Sequence, residues 1–430
     1  MKIWKNWAGV VQCQPAEILK PASIDELTEM IYSRAKAGHS IRVVGSGHSY
    51  NDIVSTKGTL ISLDKIQGIE DIDSTAQTAT ILAGTKLRSL GKPLWQAGYA
   101  MINLGDTHAQ SLAGAISTAT HGSGIKLGSL STQVVGLTLI TADGKIHECS
   151  AEREPELFKA AQVSLGALGV IAKVRLKLLP RYNLREIRRN FTIDSVLAEI
   201  DKAIHMHRHY EFWYWPDTER VSGRMRDLTE AAITENAFKR FWENIVIENW
   251  GLGLISKLSQ FIPALADELS WLSARLDSEG EKVGRSYHVL ATPRLVRLVE
   301  MEYAVPAAVG PECLREIKKF IDRSEIPMNF PIEYRYVAAD DVYLSPYYGR
   351  DSALIDLQQN IGLPYEEYFK AGEAIFKKYD GRPHWGKIHY RSSSELRDMY
   401  PRWEEFQAIR RSVDPGGIFM NDYLRRVFEN

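Results

Sequence analysis

Residues 41–52, IRVVGSGHSYND, are the stretch from which the fold can be worked out. The apolar, β-branched start of this stretch predicts a buried strand that ends at Gly45. The glycines and small hydroxyl residues that follow allow a sharp turn whose successive N–H groups point at one spot, which suits a phosphate group. His48 lies in the middle of this turn, although a phosphate site does not require a histidine. A G-x-G pair by itself is more typical of an ordinary turn with an exposed histidine, so this interpretation needs support from elsewhere in the chain.

A second stretch of small residues, 105–124 (GDTHAQSLAGAISTATHGSG), gives that support. Small side chains let another molecule approach the backbone closely, and hydroxyl and N–H groups can bind a pyrophosphate. Leu112 and Ile116 add an apolar component that favours a packed segment over a flexible loop. A third glycine-containing patch follows at residues 166–171, GALGVI. No G-x-G-x-x-G fingerprint follows the predicted strand of residues 41–44, so the sequence does not favour NAD binding in the Rossmann manner.

The composition is that of an ordinary soluble globular protein, because 44% of the 430 residues are hydrophobic and 25% are charged. The length is sufficient for two domains, each with its own core. The formal net charge is −1, so no overall field attracts nucleic acid or an anionic membrane, and we expect neither as a partner.

Three isolated cysteines, Cys13, Cys149 and Cys313, show no C-x-x-C spacing. They argue against a zinc site or a disulfide framework and fit a reducing compartment, so we expect a cytoplasmic protein. Residues 1–18 hold no apolar run long enough for a signal peptide. Residues 244–265 are the best membrane candidate, but charged and polar residues interrupt them. We therefore predict amphipathic helices there rather than a transmembrane segment.

Local patterns predict a mixed α+β fold. Ser23 and Glu26 have the spacing of a capping box, apolar residues follow at helical spacing, and Gly38 is typical of a helix end. Further patterns predict strands at residues 59–63, 78–83, 133–141, 145–148, 169–179 and 210–215, a turn at 143–144, and helices at 86–96 and 156–163. Residues 1–180 form a dense α+β unit with many glycine turns. Residues 181–375 carry longer helical segments and aromatic strands, and residues 376–430 form a return segment.

The small-residue stretches resemble the flavin-binding segments of the vanillyl-alcohol-oxidase (PCMH-type) flavoprotein superfamily, and within it the branch of aldonolactone and alditol oxidases. Residues 111–122 follow that family's pattern S-x-A-G-A-x-x-T-x-T-H-G closely. The resemblance implies a PCMH-type FAD-binding domain over residues 1–180, a cap domain with an antiparallel sheet and helices over 181–375, and a C-terminal segment over 376–430. That segment is implied to complete the active site and to return to the FAD domain.

The resemblance also implies FAD as the cofactor, with the flavin ring joined covalently to His48. The residues that match the family's flavin site are Gly45, Ser46, Gly47, His48, Ser49, Gly105, Ser111, Gly114, Ala115, Thr118, His121, Gly122, Ser123, Gly169, Val170 and Ile171.

Two further motifs agree with this resemblance. Glu333 and Arg335 are two positions apart and would face the same side of a strand. Spacing alone favours an exposed ion pair of about 0–1 kcal/mol, but in the family this E-x-R lines the sugar-binding pocket. The segment 384–387, HWGK, resembles a family segment whose lysine, here Lys387, reaches the flavin–substrate interface, where a cation would stabilise the reduced ring. The candidate catalytic residues are Glu333, Arg335, Lys387 and Ser111, the last because the family's matching serine contacts substrate or flavin.

A cluster of histidines offers a competing interpretation. His205, His207 and His209 alternate along AIHMHRHY and on a strand would face one side, as metal ligands can. No nearby cysteine or carboxylate other than Glu211 completes a set. We therefore expect no metal, and the resemblance implies that this region is a strand of the cap.

The expected function is FAD-dependent oxidation of a CH–OH group in an aldono-1,4-lactone or an alditol, by hydride transfer to the flavin N5. O2, giving H2O2, or another acceptor then takes the electrons. The sequence leaves open whether the substrate is a lactone or an alditol, whether the protein is an oxidase or a dehydrogenase, and which group accepts the hydroxyl proton. A flavin-free binding protein on the same fold and a metal-dependent hydrolase are the alternatives from other classes.

Overall fold

The fold is described from a computed structural model. It describes residues 3–216, 218–242, 279–328 and 330–429, with the isolated positions 245, 249, 250, 253 and 257. In chain order the strands are β1 (Trp4–Lys5), β2 (Gln12–Cys13), β3 (Glu17–Leu19), β4 (Ile41–Val44), β5 (Thr59–Ser62), β6 (Ile69–Asp73), β7 (Thr78–Leu82), β8 (Tyr99–Met101), β9 (Val134–Ile140), β10 (Ile146–Cys149), β11 (Val170–Pro180), β12 (Asn183–Thr192), β13 (His209–Tyr214), β14 (Arg220–Thr229), β15 (Gly280–Arg285), β16 (Leu298–Pro306), β17 (Ile332–Val337), β18 (Ser352–Asn360) and β19 (Arg382–Pro383). The helices are α1 (Ile24–Lys36), α2 (Gly91–Gln96), α3 (Leu112–Ser117), α4 (Pro155–Gln162), α5 (Ile193–Met206), α6 (Ala237–Phe241), α7 (Ser286–Val289), α8 (Gly310–Ile321), α9 (Glu366–Lys378), α10 (Ser393–Met399), α11 (Trp403–Val413) and α12 (Asp422–Phe428).

The first half of the chain builds two sheets. Strands β3, β5 and β4 pair in parallel, in that order. A larger antiparallel sheet has the order β10-β9-β11-β7-β6, and β8 pairs with the end of β11. Leu27 of α1, Ile61 of β5, Ile81 of β7 and Leu139 of β9 are fully buried in one shared core. This core fixes the strand β4, and with it the position of the loop that follows at residues 45–49.

Several local predictions are confirmed in this half. Ser23 caps α1 by accepting a hydrogen bond from the N–H of Glu26 at 3.1 Å, and Gly38 follows the helix end with φ +75°. The turn at residues 143–144 joins β9 to β10 as expected. The predicted helix over residues 86–96 is only partly present, because a 3₁₀ turn at Leu87–Ser89 precedes the short helix α2. Pro93 has no N–H and is tolerated only in the first turn of a helix, so the α-helix starts late.

The second half is organised by one antiparallel sheet in the order β15-β12-β14-β13-β17-β18-β16-β19. Side chains alternate along each strand, so this sheet has two different faces. Phe212 of β13, Tyr334 of β17, Ile355 of β18 and Tyr303 of β16 are fully buried on the apolar face. The helices α5, α8 and α9 contribute residues to the same core and cover this face.

The opposite face of the large sheet is charged. Register pairs place Glu211 opposite Arg335, Glu333 opposite Asp356, and Glu302 opposite Asp356 on this side. These side chains are buried. Buried charges are stable only when they are paired, so the face must carry a network of ion pairs.

The C-terminal segment joins the two halves. Its strand β19 pairs with β16, and the N–H groups of His384 and Ile388 continue that register by donating to the carbonyl oxygens of Glu302 and Glu300. Lys387 is thereby placed beside β16. The helices α10, α11 and α12 then add residues to the core of the first half. The domain boundaries 1–180, 181–375 and 376–430 stay a prediction, and this double attachment supports a separate final segment.

The expectation that the histidines at 205–209 share one strand face is wrong. His205 lies in α5 and His207 caps that helix, so of the three only His209 belongs to β13. The chain forms a helix up to Met206 because its apolar residues recur at helical spacing and are buried together. These residues are Ile193, Val196, Leu197, Ile200 and Ile204.

No helix among the described residues is long and apolar enough to cross a membrane. Most of the stretch 244–265, for which we predict amphipathic helices, lies outside the described residues.

Candidate active site

A cleft runs between the glycine loops of the first half and the charged face of the large sheet. We call its two sides the loop wall (residues 43–50, 105–121 and 165–171) and the sheet wall (β16, β17, residues 384–387 and Arg294). The sequence-predicted residues that line this cleft are Gly45, Ser46, Gly47, His48, Ser49, Gly105, Ser111, Gly114, Thr118, His121, Gly169, Val170, Ile171, Glu333, Arg335 and Lys387. Three segments far apart in the chain therefore meet as expected.

Three of the predicted flavin-site residues do not line the cleft. Ala115 is fully buried in the core of the first half. A Cβ on Gly122 would lie 2.4 Å from Oδ1 of Asn103, so this glycine packs against protein. The carbonyl oxygen of Ser123 accepts a hydrogen bond from the ring of His209 at 2.9 Å. The structure thus places these residues where they shape the loop without lining the cleft.

The loop after β4 presents unused backbone donors. Within the described part of the chain, the N–H groups of Ser46, Gly47, His48 and Ser49 have no hydrogen-bond acceptor. Gly47 has φ +66°, a left-handed conformation that lets successive N–H groups converge on one side. Backbone donors away from water are normally paired. A turn of this kind can bind an anion such as a pyrophosphate.

Gly45 allows this turn and the second small-residue stretch to touch. A Cβ at Gly45 would lie 2.0 Å from Oγ of Ser111. Ser111 is the N-cap of α3, where its Oγ accepts a hydrogen bond from the N–H of Gly114 at 3.4 Å. The two stretches can approach this closely only because position 45 has no side chain.

Two polar atoms of the loop wall also lack partners. Oγ1 of Thr107 and Oε1 of Gln110 are buried and have no hydrogen bond with any described residue. Both residues line the cleft, together with apolar Val43, Val54 and Val170. Buried polar atoms are normally hydrogen-bonded, so these atoms are available to a bound molecule.

His48 points into the cleft from the middle of the turn. Its ring stacks on the indole of Trp7, with ring centroids 4.9 Å apart and the planes at 22°. Burial lowers the pKa of His48 to about 4. The imidazole is therefore neutral at pH 7 and keeps a lone pair on one ring nitrogen.

Lys387 is held on the sheet wall by three carboxylates. Its Nζ lies 2.9 Å from Glu300, 2.9 Å from Glu302 and 3.0 Å from Asp356. Burial opposes protonation of this lysine, but Asp356 and the two glutamates outweigh it and hold the pKa of Lys387 well above its usual range. One fixed ammonium ion thus faces the cleft within a frame of acids.

His121 ties the loop wall to this cluster. Its Nε2 lies 2.7 Å from Oε1 of Glu302, and its Nδ1 lies 2.8 Å from the carbonyl oxygen of Gly122. Burial opposes ionisation of Glu302, but Lys387 and His121 outweigh it and hold the pKa of Glu302 well below its usual range. Through these two contacts His121 links the end of the loop wall to the frame around Lys387.

Arg335 is the centre of a second cluster at the other end of the sheet wall. Its Nη2 contacts carboxylate oxygens of Asp106 and Glu333, and its Nε lies 3.3 Å from Glu211. Asp106 belongs to the loop wall and also accepts a hydrogen bond from Arg294 at 2.6 Å. Burial raises the pKa of Glu333 well above the ordinary value, which favours its neutral form. The cluster thus places fixed charges beside a carboxyl group that holds its proton more tightly than usual.

Groups of acids and histidines with the right spacing for a metal occur at both clusters. They are His121, Glu302 and His384 at one and Asp106, Glu211 and Glu333 at the other. Lys387 and Arg335 already provide the positive charge at these places. The donor sets are therefore better explained as frames for fixed cations.

Sequence reasoning missed several residues of the cleft, namely Trp7, Asp106, Arg294, Glu300, Glu302 and His384. Glu300 and Glu302 had a usable signal, because two acids at i and i+2 share one face of a strand. Asp106 and His384 lie in the stretches 105–124 and 384–387, which the sequence had already singled out. Trp7 and Arg294 had no signal, since their place depends on which segments pack together.

Comparisons with known proteins agree with this site. The sequence model of D-arabinono-1,4-lactone oxidase matches residues 174–427, and that of an FAD binding domain matches residues 15–150. The chain is 40% identical to the L-gulono-1,4-lactone dehydrogenase of Mycobacterium tuberculosis over 99% of both chains. This chain belongs to the D-arabinono-1,4-lactone oxidase family. It is an FAD-dependent oxidoreductase that acts on CH–OH donors.

Other relatives in the family are oxidases by name. The chain is 33% identical to the L-gulonolactone oxidase of Bos taurus, over 99% of this chain and 98% of that one. It is 26% identical to the D-arabinono-1,4-lactone oxidase of Kluyveromyces lactis, over 97% of this chain and 95% of that one.

Solved structures show the same fold. A cholesterol oxidase from B. sterolicum superposes with a TM-score of 0.84 at 16% identity, over 99% of this chain and 96% of that one. A solvent-stable cholesterol oxidase gives a TM-score of 0.85 at 18% identity, over 99% and 97%. At such identities the likeness concerns the fold alone, and the predicted α+β class with a PCMH-type FAD-binding domain and a cap is confirmed.

Proposed function

We propose that this protein oxidises an aldono-1,4-lactone at a CH–OH carbon, with FAD bound covalently through His48 and O2 as the electron acceptor. One observation carries the proposal. A turn of unpartnered backbone donors around a neutral histidine faces two buried cations, Arg335 and Lys387, across a single cleft. Such a site can hold a dinucleotide on one side and a polyhydroxylated substrate on the other.

The loop wall fits FAD. The N–H groups of residues 46–49 would bind the pyrophosphate, and Thr107 and Gln110 offer buried polar atoms without protein partners. Gly169, Val170 and Ile171 would contribute close apolar contacts. When bound, FAD supplies a ring that accepts a hydride and can be reoxidised.

His48 is the residue to which we assign the covalent bond. A nucleophilic imidazole must be neutral, and burial lowers the pKa of His48 to about 4. The ring stands in the same turn as the unpartnered amides, so a cofactor held by those amides is within its reach. A covalent bond would prevent loss of the cofactor.

Four side chains are proposed to bind the substrate and to stabilise the charge that develops on it. The raised pKa of Glu333 favours its neutral form, which can donate a hydrogen bond to a substrate hydroxyl, as can Ser111 from the loop wall. Arg335 and Lys387 are held rigidly by their carboxylate partners and can stabilise a developing alkoxide without rearranging. Fixed donors of this kind favour a substrate with several hydroxyl or carbonyl oxygens.

The relatives support a lactone as the substrate, because the three compared above are named for gulono- or arabinono-lactones. They also bear on the acceptor. Two are named oxidases, which supports O2, whereas the M. tuberculosis relative is named a dehydrogenase. A non-oxygen acceptor is therefore the second candidate.

The experiment separates these points in three steps. Absorbance spectra of the purified protein before and after acid precipitation measure covalent flavin, with His48→Ala as the control. Anaerobic bleaching of the flavin by L-gulono-1,4-lactone, D-arabinono-1,4-lactone or xylitol identifies the substrate class whatever the acceptor. Reoxidation by O2 is then compared with reoxidation by a dye.

We expect acid-stable colour in the wild type only, bleaching by a lactone, and fast reoxidation by O2. Colour released by acid from the wild type would overturn the covalent bond but not the flavoenzyme. Bleaching by xylitol alone would overturn the lactone, and reoxidation by the dye alone would overturn O2.

We also propose a cytoplasmic location. Cys13, Cys149 and Cys313 are free thiols, the last two buried, which supports a reducing compartment. Fractionation of the source cells tests it, and recovery of the protein outside the cytoplasm would contradict it.

A further inference from the structure

A short N-terminal hairpin (residues 4–13) packs against the turn that carries His48. Its strands β1 and β2 pair with each other, with Trp4 opposite Cys13. The N–H of Trp7 donates to the carbonyl oxygen of Gly47 at 2.7 Å, and Nδ2 of Asn6 donates to that of Ser49 at 3.0 Å. The hairpin thus forms hydrogen bonds with the backbone on both sides of His48.

Asn6 also fixes the hairpin itself. Its Oδ1 accepts hydrogen bonds from the N–H groups of Gly9 at 2.8 Å and Val11 at 3.1 Å. Asn6 is buried, and Ala8 and Val11 are buried beside it. The position of Trp7 is therefore set by a closed local network rather than by the contents of the cleft.

Trp7 places its indole almost parallel to the imidazole of His48, with the ring centroids 4.9 Å apart. Trp7 also lines the cleft. A stacked neighbour restricts rotation of the His48 side chain and covers one face of its ring. The ring edge, where the nitrogens lie, is left free.

We propose that Trp7 is the positioning residue that holds the His48 ring in the orientation needed to form its bond to FAD. This inference rests on the proposed covalent attachment and goes beyond it, because it assigns a function to the N-terminal hairpin. Fixing a reacting group in the right geometry is worth orders of magnitude in rate.

The bond to be formed has a defined balance. An N–C bond forms between a His48 nitrogen and the methyl carbon on the flavin ring, while the imidazole N–H and one methyl C–H bond break. Two protons and two electrons are released, and O2 takes them to give H2O2. Trp7 takes no part in this exchange; it orients the nitrogen and keeps water from one face of the imidazole.

The test measures covalent attachment rather than turnover. Wild type, His48→Ala, Trp7→Ala and Trp7→Phe are purified, and total flavin and acid-stable flavin are measured for each. Each is also prepared from riboflavin-starved cells and incubated with excess FAD in air, and the rise of acid-stable flavin is followed. Trp95→Ala is the matched control, because Trp95 is a half-buried indole that contacts the ring of Tyr287 edge-on and does not line the cleft.

We expect Trp7→Ala to bind FAD but to form the covalent bond at least about tenfold more slowly, since orientation is lost. Trp7→Phe keeps an aromatic face and should recover most of the rate, and Trp95→Ala should match the wild type. A Trp7→Ala protein with the wild-type rate would overturn the inference. So would a parallel loss of total and acid-stable flavin, because that indicates a purely structural role. Failure of the His48 attachment itself would appear separately, as acid-labile flavin in the wild type.

Discussion

The two walls of the cleft are built in different ways. The loop wall comes from short local stretches and offers backbone N–H groups and small side chains. The sheet wall comes from strands that are distant in sequence and offers buried charged side chains in ion-pair frames. Backbone donors suit the phosphates of a cofactor, whereas preorganised charges suit the stabilisation of charge that develops during a reaction.

This difference implies a separation of effects. A backbone site is lost mainly when the turn itself is deformed, so damage to the loop wall should appear as lost flavin. A buried ion pair that loses one member leaves its partners uncompensated. Damage to the sheet wall should therefore lower stability, but it leaves the turn intact, so it should also appear as lost turnover in a protein that still carries its flavin.

Replacing Lys387 with Met is expected to have the largest effect on turnover. The change removes the only ammonium ion within reach of Glu300, Glu302 and Asp356 among the described residues. We expect kcat/KM to fall about 10³-fold, the cost of deleting one preorganised electrostatic group. Flavin content and the acid-stable fraction should stay at wild-type levels.

Lys145→Met is the matched control, because Lys145 pairs with Asp143 at 2.7 Å on an exposed turn. It should leave kcat/KM unchanged. If Lys387→Met instead lost its flavin in proportion to its activity, the separation between the two walls would not hold.

The loop wall was largely predictable because its information is local. The strand, the turn at residues 45–49 and the stretch 105–124 each carry a readable pattern, and Ser23 and Gly38 mark the ends of α1 correctly. The frame of Lys387 was not predictable in the same way. It depends on β16 pairing with β19 along one side and with β18 along the other, a register that no short pattern encodes. The role of Trp7 was not predictable for the same reason, since only tertiary packing brings the N-terminal hairpin to the turn.

Replacing Arg335 with Lys tests the other end of the sheet wall. The guanidinium contacts Asp106, Glu333 and Glu211 at once, and an ammonium ion cannot match that planar arrangement. We expect kcat/KM to fall about 10²-fold with flavin retained, mainly because the contacts between the Arg335 guanidinium and the substrate are lost. Arg185→Lys, at the exposed pair with Glu281 on the same sheet, should have no effect on turnover. Equal effects of the two substitutions would contradict the proposed role of Arg335.

Gly45→Ala tests the loop wall. The new Cβ would lie 2.0 Å from Oγ of Ser111, so the two small-residue stretches must move apart. We expect bound FAD to fall by up to about tenfold, with the melting temperature lowered, as for overpacking that costs 1–3 kcal/mol. Ser111→Ala removes the clashing oxygen, so Gly45→Ala should cost less flavin in that background than in the wild type. Equal costs in both backgrounds would show that the clash is not the cause.

Glu333→Gln is expected to have the smallest effect and gives the sharpest test of protonation. Burial raises the pKa of Glu333, so the folded protein holds a proton that the unfolded chain releases near pH 4.3. The stabilisation is complete below the unfolded pKa and is lost as the pH rises through the folded pKa. Glutamine resembles the neutral acid and does not titrate. The melting temperature of Glu333→Gln, relative to that of the wild type, should therefore rise above about pH 5 by roughly 1–2 °C per pH unit. Turnover should stay within about tenfold, because a neutral hydrogen-bonding group remains. A loss of 10³-fold or more at unchanged stability would mean that Glu333 acts as a carboxylate base, and the sheet wall would then do more than stabilise charge.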